Sequence, residues 1–203
     1  KAAAHIAGLI KKQHPQILVC LGGIHATMVP QQTLSEFAYF DFVVCGEGEL
    51  VVPEILRSID NGINNLSRIK GVITRDKKEI DFWLAEELDS LLFPAWGEFD
   101  LFRYPGVDIH RTRRELPVIT ARGCPYNCCF CCRYPGAEKV RYRSVANIME
   151  ELIRNLEEFG MEAALFVDET FSINKKFLLQ ICEAILKKGL NKRMRWSCST
   201  RVD

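Results

Sequence analysis

The chain has 203 residues, with 27 Lys and Arg against 26 Asp and Glu, a formal net charge of +1 and an apolar share of 48%. That length suits one large domain or two small ones with a buried core, and the balance excludes extended disorder and a broad basic footprint for nucleic acid or an anionic membrane. No apolar stretch approaches the roughly 20 residues of a membrane helix, and the opening KAAAHIAGLIKK lacks the apolar region and cleavage site of a secretory signal.

Ile6, Leu9 and Ile10 recur at helical spacing over residues 2–12. After His14 and Pro15, the apolar run 17–21 (ILVCL) predicts a buried strand ended by Gly22 and Gly23. Pro30 suits the first turn of a helix to about Phe37. FVVC (42–45) predicts a second buried strand closed by Gly46-Glu47-Gly48-Glu49, with a helix over about 50–60 that stops at Asn61-Gly62. GVITR (71–75) and EIDFW (79–83) flank Asp76-Lys77-Lys78 and predict a hairpin whose turn lacks the usual glycine.

Residues 85–115 fit neither period, yet carry Phe93, Trp96, Phe99, Phe102 and Tyr104. That aromatic load predicts an ordered connector and a domain boundary, with the basic run Arg111 to Arg114 as solvated loop. LPVITA (116–121) predicts a strand leading into a cysteine-rich loop. Ser144 caps a helix with the stripe Val145, Ile148, Met149, Leu152, Ile153, Leu156 and Phe159, stopped by Gly160. AALFV (163–167) is a buried strand. Asn174 caps a helix presenting Phe177, Ile181 and Ile185 and ended by Gly189, and 194–199 (MRWSCS) predicts a further strand. Buried strands alternating with amphipathic helices imply parallel β/α units. Both ends read as cut: no strand precedes the first helix, and three such strands do not close a barrel, so a fragment of a longer protein is expected.

Five of the nine cysteines fall between Cys124 and Cys132. The others, Cys20, Cys45, Cys182 and Cys198, sit singly in apolar runs and read as small buried hydrophobes. Without an export signal, crowded thiols read as metal ligands in a reducing cytoplasm before they read as disulfides. Cys128/Cys131 and Cys129/Cys132 form two interleaved C-x2-C pairs, a poor match to a tetrahedral zinc site clasped from two segments. Cys124, Cys128 and Cys131 follow C-x3-C-x2-C. Three thiols on one loop suit a cubane iron–sulfur cluster with its fourth iron left open, since closed clusters take four. The loop follows a strand at the end where catalytic loops of β/α folds collect.

GCPYNCCFC, with Phe130 directly before the third cysteine, resembles the signature of radical S-adenosylmethionine (SAM) enzymes. The resemblance implies that Cys124, Cys128 and Cys131 hold a [4Fe-4S] cluster and that SAM chelates its open iron. One electron then cleaves SAM to a 5′-deoxyadenosyl radical. Cys129 and Cys132 fall outside the signature and read as bystanders. It also implies a SAM site along the strand ends: Phe130 beside the adenine, Asp168 and Glu169 of FVDETF where many members have Gly-Gly-Glu, and Ser199 or Arg201 toward the SAM carboxylate, which suits a guanidinium fork.

LGGIHATMVPQQTL and DFVVCGEGE resemble the last part of the Rossmann-like cobalamin-binding domain that precedes many radical SAM domains, and LDSLLFPAW resembles their connector. The implied fold is α/β: a partial cobalamin-binding domain (1–84), a connector (85–115) and the first β/α units of a partial (β/α) barrel (116–203). Gly22, Gly23, His25, Gly46, Glu47 and Gly48 are the implied cobalamin contacts, with His25 read as a turn residue and not a cobalt ligand. The Asp-x-His-x-x-Gly motif of some cobalamin proteins is absent; Asp108-Ile109-His110 comes nearest but has Arg113 where Gly belongs. The implied activity is cobalamin-dependent methyl transfer or related C–H chemistry on a small-molecule or lipid-like substrate, fed by a flavodoxin- or ferredoxin-type reductant, without a nucleic-acid partner or a membrane span. The alternatives are an electron-transfer or structural metal module and, below it, a tRNA methylthiotransferase, for which Cys20 and Cys45 supply too few thiols for a second cluster.

Overall fold

The structure, a computed structural model, describes residues 1–63, 65–77, 79–104 and 112–201. It divides into two compact units. Lys1–Ala85 and Asn127–Gly136 form the first, and Glu86–Tyr126 and Ala137–Asp203 the second.

In the first unit, α1 (Ala2–Gln13), α2 (Ile24–Met28), α3 (Pro30–Glu36) and α4 (Gly48–Asp60) surround a three-stranded sheet of β1 (Cys20–Leu21), β2 (Phe42–Val44) and β3 (Val72–Ile73). β2 is central, parallel to β1 (Leu21 opposite Val43) and antiparallel to β3 (Val44 opposite Val72). Its alternation sends side chains to both faces. Val43 and Cys45 join Ala4, Ala7, Ala26 and Leu34, while Phe42 and Val44 join Val51, Ile55 and Leu66. A strand covered on both sides explains the unbroken apolar run.

Three expectations for this unit change. β1 is only two residues long, and Ile17 and Leu18 stay exposed, because pairing with β2 begins at Cys20. Cys20 is itself exposed and not a core thiol. The hairpin 71–75/79–83 does not form: Val72–Ile73 pairs with β2, and Trp83 makes an isolated parallel bridge with Gly46. The Asp81 carboxylate redirects the segment by accepting the Gly71 N–H (2.9 Å) and binding Lys77 Nζ (3.2 Å). Lys78 of the expected turn lies outside the described residues.

In the second unit, β4 (Glu115–Val118), β7 (Ala163–Phe166) and β8 (Arg195–Cys198) form a parallel sheet in that order, crossed by α5 (Val145–Glu158) and α6 (Lys175–Lys187). β5 (Ala121–Arg122) and β6 (Arg141–Tyr142) make a small antiparallel pair. The predicted caps are present: the Ser144 hydroxyl accepts the Asn147 N–H, and the Asn174 carbonyl accepts that of Phe177. Ile148, Met149 and Leu152 from α5 and Ile181 and Ile185 from α6 pack on Leu116, Val118, Ala164 and Phe166, with Trp96 and Leu101 at the margin. A buried Arg143–Glu151 ion pair, with Arg143 also donating to the Ile119 carbonyl (2.7 Å), ties α5 to the end of β4. Among the described residues no helix is long and apolar enough to cross a membrane.

Candidate functional site

In the second unit the register aligns Val118 with Phe166 and Phe166 with Cys198. The segments after β4, β7 and β8 therefore meet at one sheet edge. Asp168 is 4% exposed there. Its carboxylate accepts the N–H groups of Thr120 (2.7 Å) and Ala121 (3.0 Å) and the Thr120 hydroxyl. Burial pushes the Asp168 carboxyl above its ordinary range, while these hydrogen bonds pull it down. The clamp also explains why the single predicted strand 116–121 is two: at Thr120 the backbone donors turn to Asp168. Glu169, next in sequence, is exposed and accepts the Gly123 N–H (3.3 Å). Ser199 is exposed and its carbonyl accepts the Phe171 N–H (2.9 Å); the Ser172 and Thr200 hydroxyls bond beside it. The Arg201 guanidinium lies 4.2 Å from the Tyr126 ring centroid.

The cysteine segment leaves this edge through Gly123 (φ +100°), where a Cβ would stand 2.7 Å from the carbonyl oxygens of both Ala137 and Lys139. Only glycine fits that conformation and that crossing. The Cys124 N–H donates to the Ala137 carbonyl (2.8 Å). Within the first unit, the Cys131 N–H closes a turn on the Cys128 carbonyl (3.0 Å), and Arg133 reaches Asn127 Oδ1 (3.4 Å). Cys128 is half-buried like Cys124, and Cys129, Cys131 and Cys132 are exposed. None of the nine cysteines, all described, forms a disulfide. Phe130 is 89% exposed. The donor chemistry fits an iron–sulfur cluster: accessible thiols in one short segment, with backbone hydrogen bonds at Cys124 and across the Cys128–Cys131 turn. No group of three or more His, Cys, Asp or Glu among the described residues is arranged to hold a metal ion, so the assignment rests on spacing and donor type.

In the first unit, the ends of β1 and β2 lie side by side. Gly22, Gly23 and His25 are exposed there. Gly23 (φ +90°) starts α2, and a Cβ on it would meet nothing within 4 Å, which leaves an open approach to the backbone. Gly46 (φ +84°) donates its N–H to Thr27 Oγ1 (3.1 Å), and Gly48 opens α4. Glu47 is buried, and its carboxylate accepts the Ala85 N–H (2.8 Å). Cys45 is fully buried, with its thiol pushed up to about 11 by that burial. Asp108-Ile109-His110 lies outside the described residues.

Sequence reasoning missed Thr120 and Tyr126. Thr120 falls inside the predicted strand 116–121, and Tyr126 carries no assignment in the sequence. The signal for the first is a polar residue breaking an apolar strand beside a strand-end acid; for the second there is none short of the fold.

The sequence profile of the B12 binding domain matches residues 1–56. The anaerobic magnesium-protoporphyrin IX monomethyl ester cyclase of Cereibacter sphaeroides is 31% identical over 194 residues, 93% of this chain and 31% of its own length. An uncharacterized methyltransferase of Pyrococcus horikoshii is 31% identical over 205 residues, 98% of this chain and 43% of its own. The chain thus spans less than half the length of either relative. The radical SAM methyltransferase TsrM of Kitasatospora setae, solved with tryptophan substrate and a SAM analog, matches at TM-score 0.68 and 19% identity over 95% of this chain and 38% of that one. OxsB, a cobalamin-dependent SAM radical enzyme solved with aqua-cobalamin, matches at TM-score 0.70 and 20% identity over 92% and 27%. These two likenesses show that the α/β fold described above is the one those proteins share.

Proposed function

Taking the chain as a member of the radical SAM proteins that carry a B12-binding domain, we propose that it serves cobalamin-dependent radical chemistry, methyl transfer or a related reaction at a C–H bond. The observation that carries the reading is the C-x3-C-x2-C spacing of Cys124, Cys128 and Cys131 at the exit of a parallel strand, in a chain whose residues 1–56 match the B12 binding domain. We divide it into a partial cobalamin-binding domain (1–84), a connector (85–115) and the first units of a radical SAM barrel (116–203).

Cys124, Cys128 and Cys131 are the proposed cluster ligands. These three thiolates would hold a [4Fe-4S] cluster, which when bound would supply one-electron chemistry toward SAM. Around it the chain's own groups bind and orient. Glu169, exposed beside Gly123, accepts hydrogen bonds from the SAM amino group, and Asp168 acts one step back by fixing the end of β4. Arg201, held over Tyr126, presents a guanidinium to the SAM carboxylate with Ser199 beside it. The exposed Phe130 ring offers a stacking face for the adenine. Of the proposed cobalamin contacts, Gly22, Gly23 and His25 lie exposed at the end of β1, where bare backbone admits a bulky ligand, while Gly46, Glu47 and Gly48 lie at the end of β2, where Trp83 and Leu84 cover Gly46. The substrate class is a small or lipid-like molecule, and the reductant a one-electron carrier of flavodoxin or ferredoxin type.

Anaerobic reconstitution tests the reading. With iron, sulfide, SAM and a strong reductant, the protein is expected to bind iron and sulfide and to release 5′-deoxyadenosine. Iron and sulfide without that product sink the radical reading in favour of an electron-transfer module, and zinc without iron favours a structural one.

A further inference from the structure

The segment Phe82–Ala85 belongs to the first unit, as does the cysteine-bearing loop Asn127–Gly136. The strand-end sequence Gly46-Glu47 grips the segment through its backbone and through a side chain. Gly46 forms the parallel bridge with Trp83, the Glu47 N–H donates to the Trp83 carbonyl (3.3 Å), and the buried Glu47 carboxylate accepts the Ala85 N–H (2.8 Å). A Cβ on Gly46 would lie 3.3 Å from both Leu84 Cδ2 and the Trp83 carbonyl oxygen, so the strap sits directly on bare backbone. One side of Phe82 packs at the margin of the first unit's core. Its ring stacks on Tyr134 with centroids 6.1 Å apart and planes 26° from parallel. Leu84 Cδ1 comes within 2.8 Å of where a Cβ on Gly136 (φ +90°) would stand. Tyr134 and Gly136 lie just beyond the Cys128–Cys131 turn.

We propose that this strap, fixed by Gly46 and Glu47 and seated against Tyr134 and Gly136, holds the loop that carries Cys128 and Cys131, which makes Glu47, Phe82 and Tyr134 positioning residues for the cluster ligands. It rests on the radical SAM reading only for the identity of the bound group. It gives Glu47 a different task from the cobalamin contact implied by sequence: a buried carboxylate bonded to the Ala85 backbone is held by the strap. The physical reason is entropic. A loop with exposed thiols is costly to order, and a stacked aromatic pair plus one close glycine contact removes part of that cost before any ligand arrives.

The test compares Tyr134→Ala with Tyr134→Phe, which keeps the ring, and Glu47→Ala with Glu47→Gln, which keeps an acceptor. Hydrogen exchange on the metal-free protein reads the loop directly. Amides of 127–136 are expected to exchange roughly three- to tenfold faster in Tyr134→Ala, the range an aromatic pair contributes beyond its buried area. Those of β2 should be unchanged, and Tyr134→Phe should match the parent protein. After anaerobic loading, Tyr134→Ala is expected to hold less iron and to give a broadened or altered paramagnetic resonance signal of the reduced cluster, again restored in Tyr134→Phe. Glu47→Ala should speed exchange at both 83–85 and 127–136, and Glu47→Gln should not. Unchanged exchange at 127–136 in both alanine variants overturns the proposal. If the parent protein takes up no iron while the exchange results hold, the radical SAM reading fails and the strap stands.

Discussion

Replacing Asp168 separates its hydrogen-bonding role from its charge. The carboxylate takes two backbone N–H groups on one oxygen and the Thr120 hydroxyl on the other. Asp168→Ala leaves these buried donors without a partner at about 1–3 kcal/mol each, with entering water recovering part, so the expected loss is about 2–4 kcal/mol. Asp168→Asn can keep every bond: the amide oxygen accepts both N–H groups, and the amide nitrogen donates to the hydroxyl. It should cost less than about 1 kcal/mol. The charge adds a pH signature. Burial raises the folded carboxyl above the ordinary 3.8, so the folded state binds more protons than the unfolded between those two values. The group's contribution to stability is fully present below the unfolded value and falls as pH rises through the folded one. Asn does not titrate, so Asp168→Asn should gain on the parent protein as pH rises across that window. Urea unfolding, followed by circular dichroism and by tryptophan fluorescence at several pH values, reads all three effects. A loss under about 0.5 kcal/mol in Asp168→Ala, or equal damage in both variants, refutes the clamp.

Gly123→Ala places a Cβ 2.7 Å from two carbonyl oxygens at φ +100°; it should cost about 1–3 kcal/mol in urea unfolding and reduce iron uptake by shifting the cysteine exit. Glu151→Ala strands Arg143 in a site where the glutamate side chain is only 2% exposed. Burial pushes the Glu151 carboxyl up against the pull of Arg143, and the loss should approach about 3 kcal/mol, read as a lower urea midpoint. Ser144→Ala removes the cap of α5 and should cost about 1 kcal/mol, with Ser144→Asp restoring it.

What the sequence made legible is what local periodicity encodes. The α5 stripe, its Ser144 cap and the αL glycine after it follow from 3.6-residue spacing and short-range hydrogen bonds, and they stand in the structure as read. The run 42–44 announced a strand covered on both faces. Non-local pairing was not legible. Val72 has two strand-like neighbours in sequence, and only the tertiary structure selects β2 over the hairpin. β1 was read too long because apolar character marks Ile17 and Leu18 equally, whereas pairing starts at Cys20. At the site, spacing alone nominated Cys124, Cys128 and Cys131. That Asp168 turns inward to Thr120 while Glu169 stays exposed could not be read from two adjacent acids. Nor could the packing of 127–136 with the first unit, which depends on Phe82 and Leu84 some fifty residues earlier.

The cluster assignment is tested most directly by replacing each crowded cysteine with alanine and measuring iron and sulfide per chain after anaerobic reconstitution, with the visible absorption of the cluster. Loss in Cys124→Ala, Cys128→Ala and Cys131→Ala, with retention in Cys129→Ala and Cys132→Ala, is the predicted result. Retention in any of the first three, or loss confined to the last two, contradicts it.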